Sequence, residues 1–250
     1  MVLCVVGLLL TLSRHVFSIR YEAHVPKQPQ CIPNLNSIFE FDACLLESQD
    51  FNGFDNSFVI DHGYLTNRSV VVVVGAYKGE NIAKLVTNKH PHLILFEPVQ
   101  EFEEHLRAVF REYERVEFHN FAIGIQEKSE HIVVDGDSSA LVSVGQFDSK
   151  PSEKRLRKIR VKSFSQYIKS ALEKYTKVDL LYINCEGCEY ALLADMLKHN
   201  WHADIKNILI QFHNQSENLS WGRCLLLHIL SSTHRRTFNY PWVWEMWTSL

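Results

Sequence analysis

Residues 70–79 read VVVVVGAYKG, and this stretch decides the fold. A run of five β-branched residues that ends at a glycine predicts a strand buried on both faces. Gly75 and Gly79 permit a sharp turn and a close backbone approach to a ligand, and the helix that follows supplies unpaired N–H groups. Taken alone, this spacing indicates only a tight turn. Its place between a strand and a helix favours a ligand-binding turn.

Helices alternate with strands on the carboxyl side of the valines. Helical periodicity at Lys78–Lys89 and Glu101–Tyr113 alternates with strands at Leu93–Phe96 and Val116–Phe121. This order predicts an α/β, Rossmann-like fold with right-handed crossovers, a mostly parallel seven-stranded sheet and helices on both faces. The other predicted elements are short strands at His131–Val134 and Lys158–Val161, helices at Phe164–Tyr175, Glu189–Leu197 and Trp221–Leu230, strands at Val178–Ile183 and Ile205–Phe212, and a final strand pair between Phe238 and Trp247.

Length and composition are those of an ordinary globular protein. The chain has 250 residues, of which 46% are hydrophobic and 22% charged, and its formal net charge is −3. This balance argues against a nucleic-acid-binding surface. We expect an apolar leader at residues 1–19, an N-terminal extension at residues 20–60 with a short helix or cap around Phe41, and one domain at residues 61–250.

The apolar run Val2–Leu12 is too short to span a bilayer, which takes about 20 residues. It fits a signal peptide or an anchor. However, no Lys or Arg precedes it and no small-x-small cleavage site follows it, and the alternative is a buried strand or helix of the domain. Three N-x-S/T sequons begin at Asn67, Asn214 and Asn218. We expect a luminal or secreted glycoprotein, with membrane association through the leader or a cytoplasmic location as alternatives.

Glu97 is the second candidate for ligand binding. It lies 22 residues after Gly75, at the carboxyl end of the second predicted strand, where a carboxylate can accept hydrogen bonds from ribose hydroxyls. The alternative is a solvent-exposed loop glutamate. Tyr77 stands where a dinucleotide-binding fingerprint has its second glycine. A cofactor without phosphates, such as S-adenosylmethionine (SAM), therefore suits the turn better than a dinucleotide.

Chemistry-bearing side chains also follow two later strands. The segment 184–189, NCEGCE, comes directly after a buried strand, and Gln211-Phe212-His213 ends the next one. Ligands of open α/β sheets bind at such carboxyl ends. His213 is either a base or a structural histidine. Cys185 and Cys188 are candidates for a redox pair or for metal ligands. The alternative for Cys188 is a small apolar residue of the helix. No metal triad is evident.

The six cysteines are too few for a disulfide scaffold in a chain of this length. In an oxidising compartment, Cys31 and Cys44 could pair within the N-terminal extension. Free buried thiols are the alternative.

These residues resemble the FkbM family of SAM-dependent methyltransferases. The resemblance runs from about Val70 to His213, in the family's order and spacing. It implies a class I methyltransferase that binds SAM and methylates a hydroxyl of a small molecule or glycan. The stretches that carry it are VVVVGAYKGEN, LILFEPVQEFEEHL, VEFHNFAIG, Ser138-Ser139, VKSFSQYI, VDLLYINCEGCEYALL and IKNILIQFH.

The resemblance also implies roles for individual residues. The adenine would lie near Phe118 to Ala122, and the substrate face would be built from Glu186, Glu189 and His213. The cofactor site would contain Gly75, Ala76, Gly79, Glu97, Asn120, Ala122 and Asn184.

Four charged positions of the family are neutral in this chain. Val73 and Gln211 replace acids, and Tyr182 and Asn184 replace a lysine and an aspartate. Tyr77 stands where an asparagine is usual. One hypothesis is an active O-methyltransferase in which Glu186 or His213 accepts the acceptor's proton while Glu189 holds the loop. The alternatives are a degenerate binding or interaction module and, more remotely, a nucleotide-dependent oxidoreductase.

Overall fold

The valine run forms the central strand of the protein. In the computed structural model, Val70–Val74 is a strand whose five residues are all buried. It pairs in parallel with His92–Phe96 on one side and with Leu180–Ile183 on the other. The structure describes residues 41–48, 62–86, 89–135, 138–141, 156–213 and 219–250.

The described residues form helices and strands that mostly agree with the predicted ones. The helices are α1 (Phe41–Leu45), α2 (Glu80–Val86), α3 (Gln100–Val109), α4 (Phe164–Tyr175), α5 (Glu189–Lys198), a 3₁₀ turn (Trp201–Asp204) and α6 (Leu219–Leu230). The strands are β1 (Val70–Val74), β2 (His92–Phe96), β3 (Val116–His119), β4 (Ala122–Gly124), β5 (Lys128–Asp135), β6 (Ser138–Leu141), β7 (Leu156–Ser163), β8 (Leu180–Ile183), β9 (Asn207–Ile210), β10 (His234–Tyr240) and β11 (Trp244–Ser249).

The main sheet has seven strands in the order β10-β11-β9-β8-β1-β2-β3. Neighbouring strands from β9 to β3 are parallel, whereas β11 runs antiparallel to both β9 and β10. This confirms the predicted Rossmann-like, mostly parallel sheet. The strands expected to start at Val178 and Ile205 are shorter, because these two residues form only an isolated bridge.

Alternate valines of β1 face two separate layers of core. Val70, Val72 and Val74 pack in a cluster with residues of α4, α5 and α6. Val71 and Val73 pack in a second cluster with residues of α2 and α3. Helices therefore cover both faces, as predicted. Burial on both sides also explains why an uninterrupted apolar run is required here rather than an alternating one.

A second sheet, of order β4-β7-β5-β6, departs from the prediction. The strand expected at Val116–Phe121 ends at His119, and Ala122–Gly124 pairs instead with β7. In β7, Ile159 is buried while Lys158 is exposed, as expected of a half-buried strand. The buried side chains of this sheet pack on α3 through Phe102.

Helix α1 is fastened to the domain by covalent and ionic contacts. Cys44 forms a disulfide with Cys224 of α6, across 180 residues of sequence. The expectation that Cys44 pairs with Cys31 is therefore wrong; Cys31 lies outside the described residues. The fully buried Arg223 guanidinium binds the Glu245 carboxylate and, at 2.7 Å, that of Glu47. The short helix expected around Phe41 thus packs on the core next to α6.

The leader, most of the N-terminal extension and two of the three sequons lie outside the described residues. Among the helices that are described, none combines the length and the apolar character that a membrane span needs.

Removing the Cys44–Cys224 disulfide should destabilise the protein strongly. In the chain-entropy model a longer closed loop stabilises more, so Cys44→Ala/Cys224→Ala should lower the free energy of unfolding by about 2–5 kcal/mol. Urea denaturation measures this. Cys185→Ala/Cys188→Ala, which opens a loop with a sequence separation of only 3, is the control and should cost clearly less. Equal losses in the two variants would contradict the assignment.

Candidate functional site

A cavity of about 530 Å³ opens at the carboxyl ends of β1, β2 and β8. This volume is typical of a small-molecule site, and the location is the one that open α/β sheets use. The second sheet forms the opposite wall. Side chains and backbone of these residues line it: 74–77, 79–82, 96–98, 122–126, 128, 130, 132, 159, 161, 182, 184–186, 188 and 191.

The turn after β1 is shaped by the protein's own packing. Gly75 and Gly79 have φ of 82° and 88°, a region that favours glycine. A Cβ on Gly75 would lie 1.8 Å from the Asn184 carbonyl oxygen, and one on Gly79 would lie 2.4 Å from Leu106. The glycines were expected to let the backbone approach a ligand. The space that a side chain would occupy at these positions is filled by the loop after β8 and by α3, while both glycines line the cavity, so the approach to a ligand stays a prediction.

The N–H groups of residues 75–77, in the turn before α2, have partners within the protein. Those of Gly75 and Ala76 both donate to the Phe96 carbonyl oxygen, at 3.1 and 3.0 Å. That of Tyr77 donates to Glu97 Oε2 at 2.8 Å. The Tyr77 ring, which also lines the cavity, makes an edge contact with Phe102, with ring centroids 4.6 Å apart.

Glu97 is buried at the cavity wall and is not the exposed loop residue of the alternative interpretation. Its other oxygen, Oε1, accepts from the Val99 N–H at 2.9 Å. A carboxylate has about four lone-pair positions, so each oxygen retains one for a ligand hydroxyl. Burial raises the pKa of Glu97 to about 7, although both backbone N–H groups oppose the shift.

Two residues expected near an adenine take different positions. Ala122 lines the cavity. Asn120 is not among the lining residues: its amide donates to the carbonyl oxygens of Glu97 and Pro98, at 3.1 and 3.4 Å. Asn120 therefore braces the turn that aims the Glu97 carboxylate.

Asn184 carries an unsatisfied acceptor at the cavity. Its backbone N–H donates to the Val74 carbonyl oxygen at 2.9 Å, which fixes the loop to the end of β1. Its Oδ1 is buried and has no hydrogen-bond partner in the described structure. Buried polar atoms are rarely left without a partner.

Glu189, which is fully buried, joins the ends of β8 and β9. Its Oε1 accepts from the His213 N–H at 2.7 Å and lies 3.1 Å from His213 Nδ1. Its Oε2 accepts from the Gly187 N–H at 2.9 Å. His213 Nε2 lies 3.3 Å from Glu186 Oε1. The three predicted substrate-face residues are therefore together, but only Glu186 lines the cavity.

The protonation state of His213 follows from this arrangement. Burial lowers its pKa, but the carboxylates of Glu186 and Glu189 outweigh burial and raise the pKa to about 9. At neutral pH the ring is an imidazolium that donates from both nitrogens. It then has no free lone pair with which to accept a proton.

Cys185 and Cys188 form a disulfide at the cavity. Of the interpretations left open by the sequence, the structure therefore shows the pair in its oxidised form. The described part of the chain contains no group of three or more His, Cys, Asp and Glu side chains arranged for a metal ion.

Sequence reasoning missed part of the cavity wall. The sequence predicted only a short strand at Lys158–Val161, whereas Ile159 and Val161 of this strand line the cavity. Tyr182, at the position of the family's lysine, also lines it and packs on Trp244 with ring centroids 5.0 Å apart. The alternation in β7 indicated a buried face, but not what that face covers.

Comparisons with known proteins identify a family. The family model described as methyltransferase FkbM domain matches residues 74–238. A search of curated proteins found no match.

Solved structures match parts of this chain at low sequence identity. The FkbM methyltransferase of Methylobacillus flagellatus KT is 17% identical over 74% of this chain, with a TM-score of 0.48. An O-methyltransferase of Bacillus cereus in complex with SAH is 8% identical over 84% of this chain and 86% of its own, with a TM-score of 0.42. The alignment spans only 45% of the Methylobacillus chain. The family assignment therefore rests on the family match.

The ion pairs of His213 should make stability fall with rising pH. Its pKa is higher in the folded state, about 9, than the ordinary value of 6.5, so the folded state binds more protons between these values. This contribution is complete below about pH 6.5 and is lost as the pH rises through about 9. We expect the stability advantage of wild type over His213→Gln, measured by urea denaturation from pH 6 to 10, to shrink over that range. A constant difference would contradict the assigned protonation.

Proposed function

Because the chain belongs to the FkbM methyltransferase family, we propose that it binds SAM in the cavity and methylates a hydroxyl of a small molecule or sugar. One observation carries the proposal. Two polar residues line the same cavity on either side of the end of β1: Glu97 after β2, a buried carboxylate with lone pairs left for hydroxyls, and Asn184 after β8, whose Oδ1 has no partner in the described structure.

The polar groups of the cavity fit the two ends of SAM. Glu97 would accept hydrogen bonds from the ribose hydroxyls, as carboxylates at this position of an α/β sheet do. Asn184, which also lines the cavity, would lie beside the methionine part. The bound cofactor would supply a methyl group activated by a positively charged sulfur.

Glu186 is placed to accept the proton that the acceptor hydroxyl loses. It lines the cavity, and its side chain is 32% exposed. The His213 imidazolium fixes one of its oxygens, and the buried Glu189 orients His213 in turn. We therefore assign proton acceptance to Glu186, and a positioning role to His213 and Glu189. General-base assistance of this kind contributes about 10²–10⁴-fold.

The wall formed by the second sheet suits an acceptor with both hydroxyls and apolar surface. Ile132, Ile159 and Val161 provide apolar contacts, and Lys128 and Glu130, 2.6 Å apart, provide polar ones. A sugar presents both kinds of surface, and so do many small hydroxylated molecules.

Glu186→Gln should lower turnover by about 10²-fold or more while the dissociation constant for SAM changes less than threefold. Calorimetry measures binding, and methyl transfer from labelled SAM to a panel of hydroxylated acceptors measures turnover. Glu173→Gln, on the exposed face of α4, is the matched control and should leave both unchanged.

Three other outcomes of this experiment have distinct meanings. Binding without turnover by the wild type on any acceptor would favour a binding module in place of an enzyme. Absence of SAM binding would overturn the proposed function, and binding of NAD in its place would support an oxidoreductase. Loss of SAM binding in Glu186→Gln would assign that residue to the cofactor site.

We also propose that the protein works in the secretory pathway. Two disulfides suit an oxidising compartment. The first sequon presents Asn67 exposed in a turn. Expressed in animal cells, the full chain should lose mass on treatment with an N-glycosidase, and Asn67→Gln should lose less. An unglycosylated chain that stays in the cytosol would contradict the proposal.

A further inference from the structure

The Cys185–Cys188 disulfide differs from the other disulfide in its surroundings. Cys44 and Cys224 are 2% and 0% exposed, whereas both cysteines of the 185–188 pair are only half-buried and line the cavity. A small thiol that enters the cavity can therefore reach one sulfur pair of the described structure and not the other.

The Cys185–Cys188 disulfide closes a short loop and therefore contributes little to the stability of the fold. A disulfide stabilises mainly by constraining the unfolded chain, and the effect grows with the length of the loop that it closes. Only two residues separate Cys185 from Cys188, compared with a separation of 180 for Cys44 and Cys224. A purely structural role therefore suits Cys44–Cys224 far better than Cys185–Cys188.

The two sulfurs of the short loop differ in electrostatic surroundings. Cys188 is the N-cap of α5, where the helix dipole favours a developing thiolate. Cys185 Sγ lies 3.6 Å from the Glu189 carboxylate, which disfavours negative charge there. A thiolate that attacks Cys185 Sγ would therefore expel the Cys188 thiolate, the better leaving group.

The closed loop holds the residues of the proposed site in place. Asn184 directly precedes the disulfide, and Glu186 lies inside it. Glu186 and Gly187 have φ of 54° and 110°, and for a non-glycine residue this conformation persists only when its surroundings enforce it. When the Cys185–Cys188 disulfide is open, one of the constraints that enforce the positive φ of Glu186 is lost.

We propose that Cys185–Cys188 is a redox-active disulfide that a dithiol opens, and that opening weakens the binding of SAM in the adjoining cavity. The attacking thiol forms a mixed disulfide with Cys185 as the Cys185–Cys188 bond breaks, and the second thiol of the donor then displaces Cys185. Two electrons and two protons pass to the protein, which ends with two thiols, and the donor ends as a disulfide. The second half of the proposal rests on the proposed function.

The test uses the full chain in buffers of graded ratios of reduced to oxidised dithiothreitol. Free thiols are trapped with iodoacetamide and assigned by peptide mass spectrometry, and SAM affinity is measured by calorimetry at each ratio. The 185–188 pair should become alkylated at ratios that leave Cys44–Cys224 intact. The dissociation constant for SAM should rise about five- to tenfold over the same ratios, since a released loop must be ordered on binding.

Cys185→Ala/Cys188→Ala is the matched control, because it retains the other disulfide. It should bind SAM as weakly as the reduced wild type and should not respond to dithiothreitol. Reduction of the two disulfides together, or a wild-type affinity that changes less than twofold, would overturn the proposal. Failure of this proposal is distinguishable from failure of the proposed function. If the protein does not bind SAM at all, the proposed effect of reduction on SAM affinity is overturned. The alkylation pattern still decides whether the Cys185–Cys188 pair is redox-active.

Discussion

The contact between Gly75 and Asn184 is the constraint on which the site depends. The carbonyl oxygen of Asn184 occupies the space where a side chain at position 75 would begin, 1.8 Å from an ideal Cβ. Two neighbouring parallel strands can end this close together only if one of them ends in glycine. This contact places the loop after β8 beside the turn after β1. Asn184 and Glu97 consequently line one cavity.

Two buried glutamates organise the site in different ways. Among the described residues, Glu97 accepts only from neutral backbone N–H groups, so burial dominates and its pKa rises to about 7. Glu189 is fully buried but has an imidazolium beside it, together with two backbone N–H groups. The charge of His213 compensates the burial of the carboxylate, and the two carboxylates in turn keep His213 protonated. One glutamate is therefore available to a ligand, whereas the other is committed to holding two loops together.

The two described disulfides have different roles, one in the stability of the fold and one at the candidate site. Cys44–Cys224 closes a very long loop and, with Arg223 between Glu47 and Glu245, attaches the N-terminal segment to the last helix and the β10–β11 hairpin. Cys185–Cys188 closes a very short loop at the cavity. Loop length determines how much a disulfide stabilises the fold, and exposure determines how readily a thiol can reach it. The described residues thus include one disulfide suited to stability and one suited to exchange.

The sequence by itself determined the elements whose signal is local. Five consecutive valines specified a strand buried on both faces, and the positions of Glu97 and Glu186 directly after buried strands placed them at the cavity. The spacing from β1 to β9 was enough to predict helices α2 to α5, the strands of the main sheet and the family resemblance, but not β4 and β6 of the second sheet. Periodicity and strand ends are properties of a few neighbouring residues, so they can be recognised without the fold.

Only the tertiary structure decided the contacts between residues far apart in the chain. It paired Cys44 with Cys224, turned one face of β7 toward the cavity, and assigned the N–H groups of the first turn to Phe96 and Glu97. It also placed His213 between two carboxylates, which favours a structural role for it over that of a base. A protonation state or a disulfide partner depends on distances of a few ångströms across the fold, and no local pattern of residues encodes them.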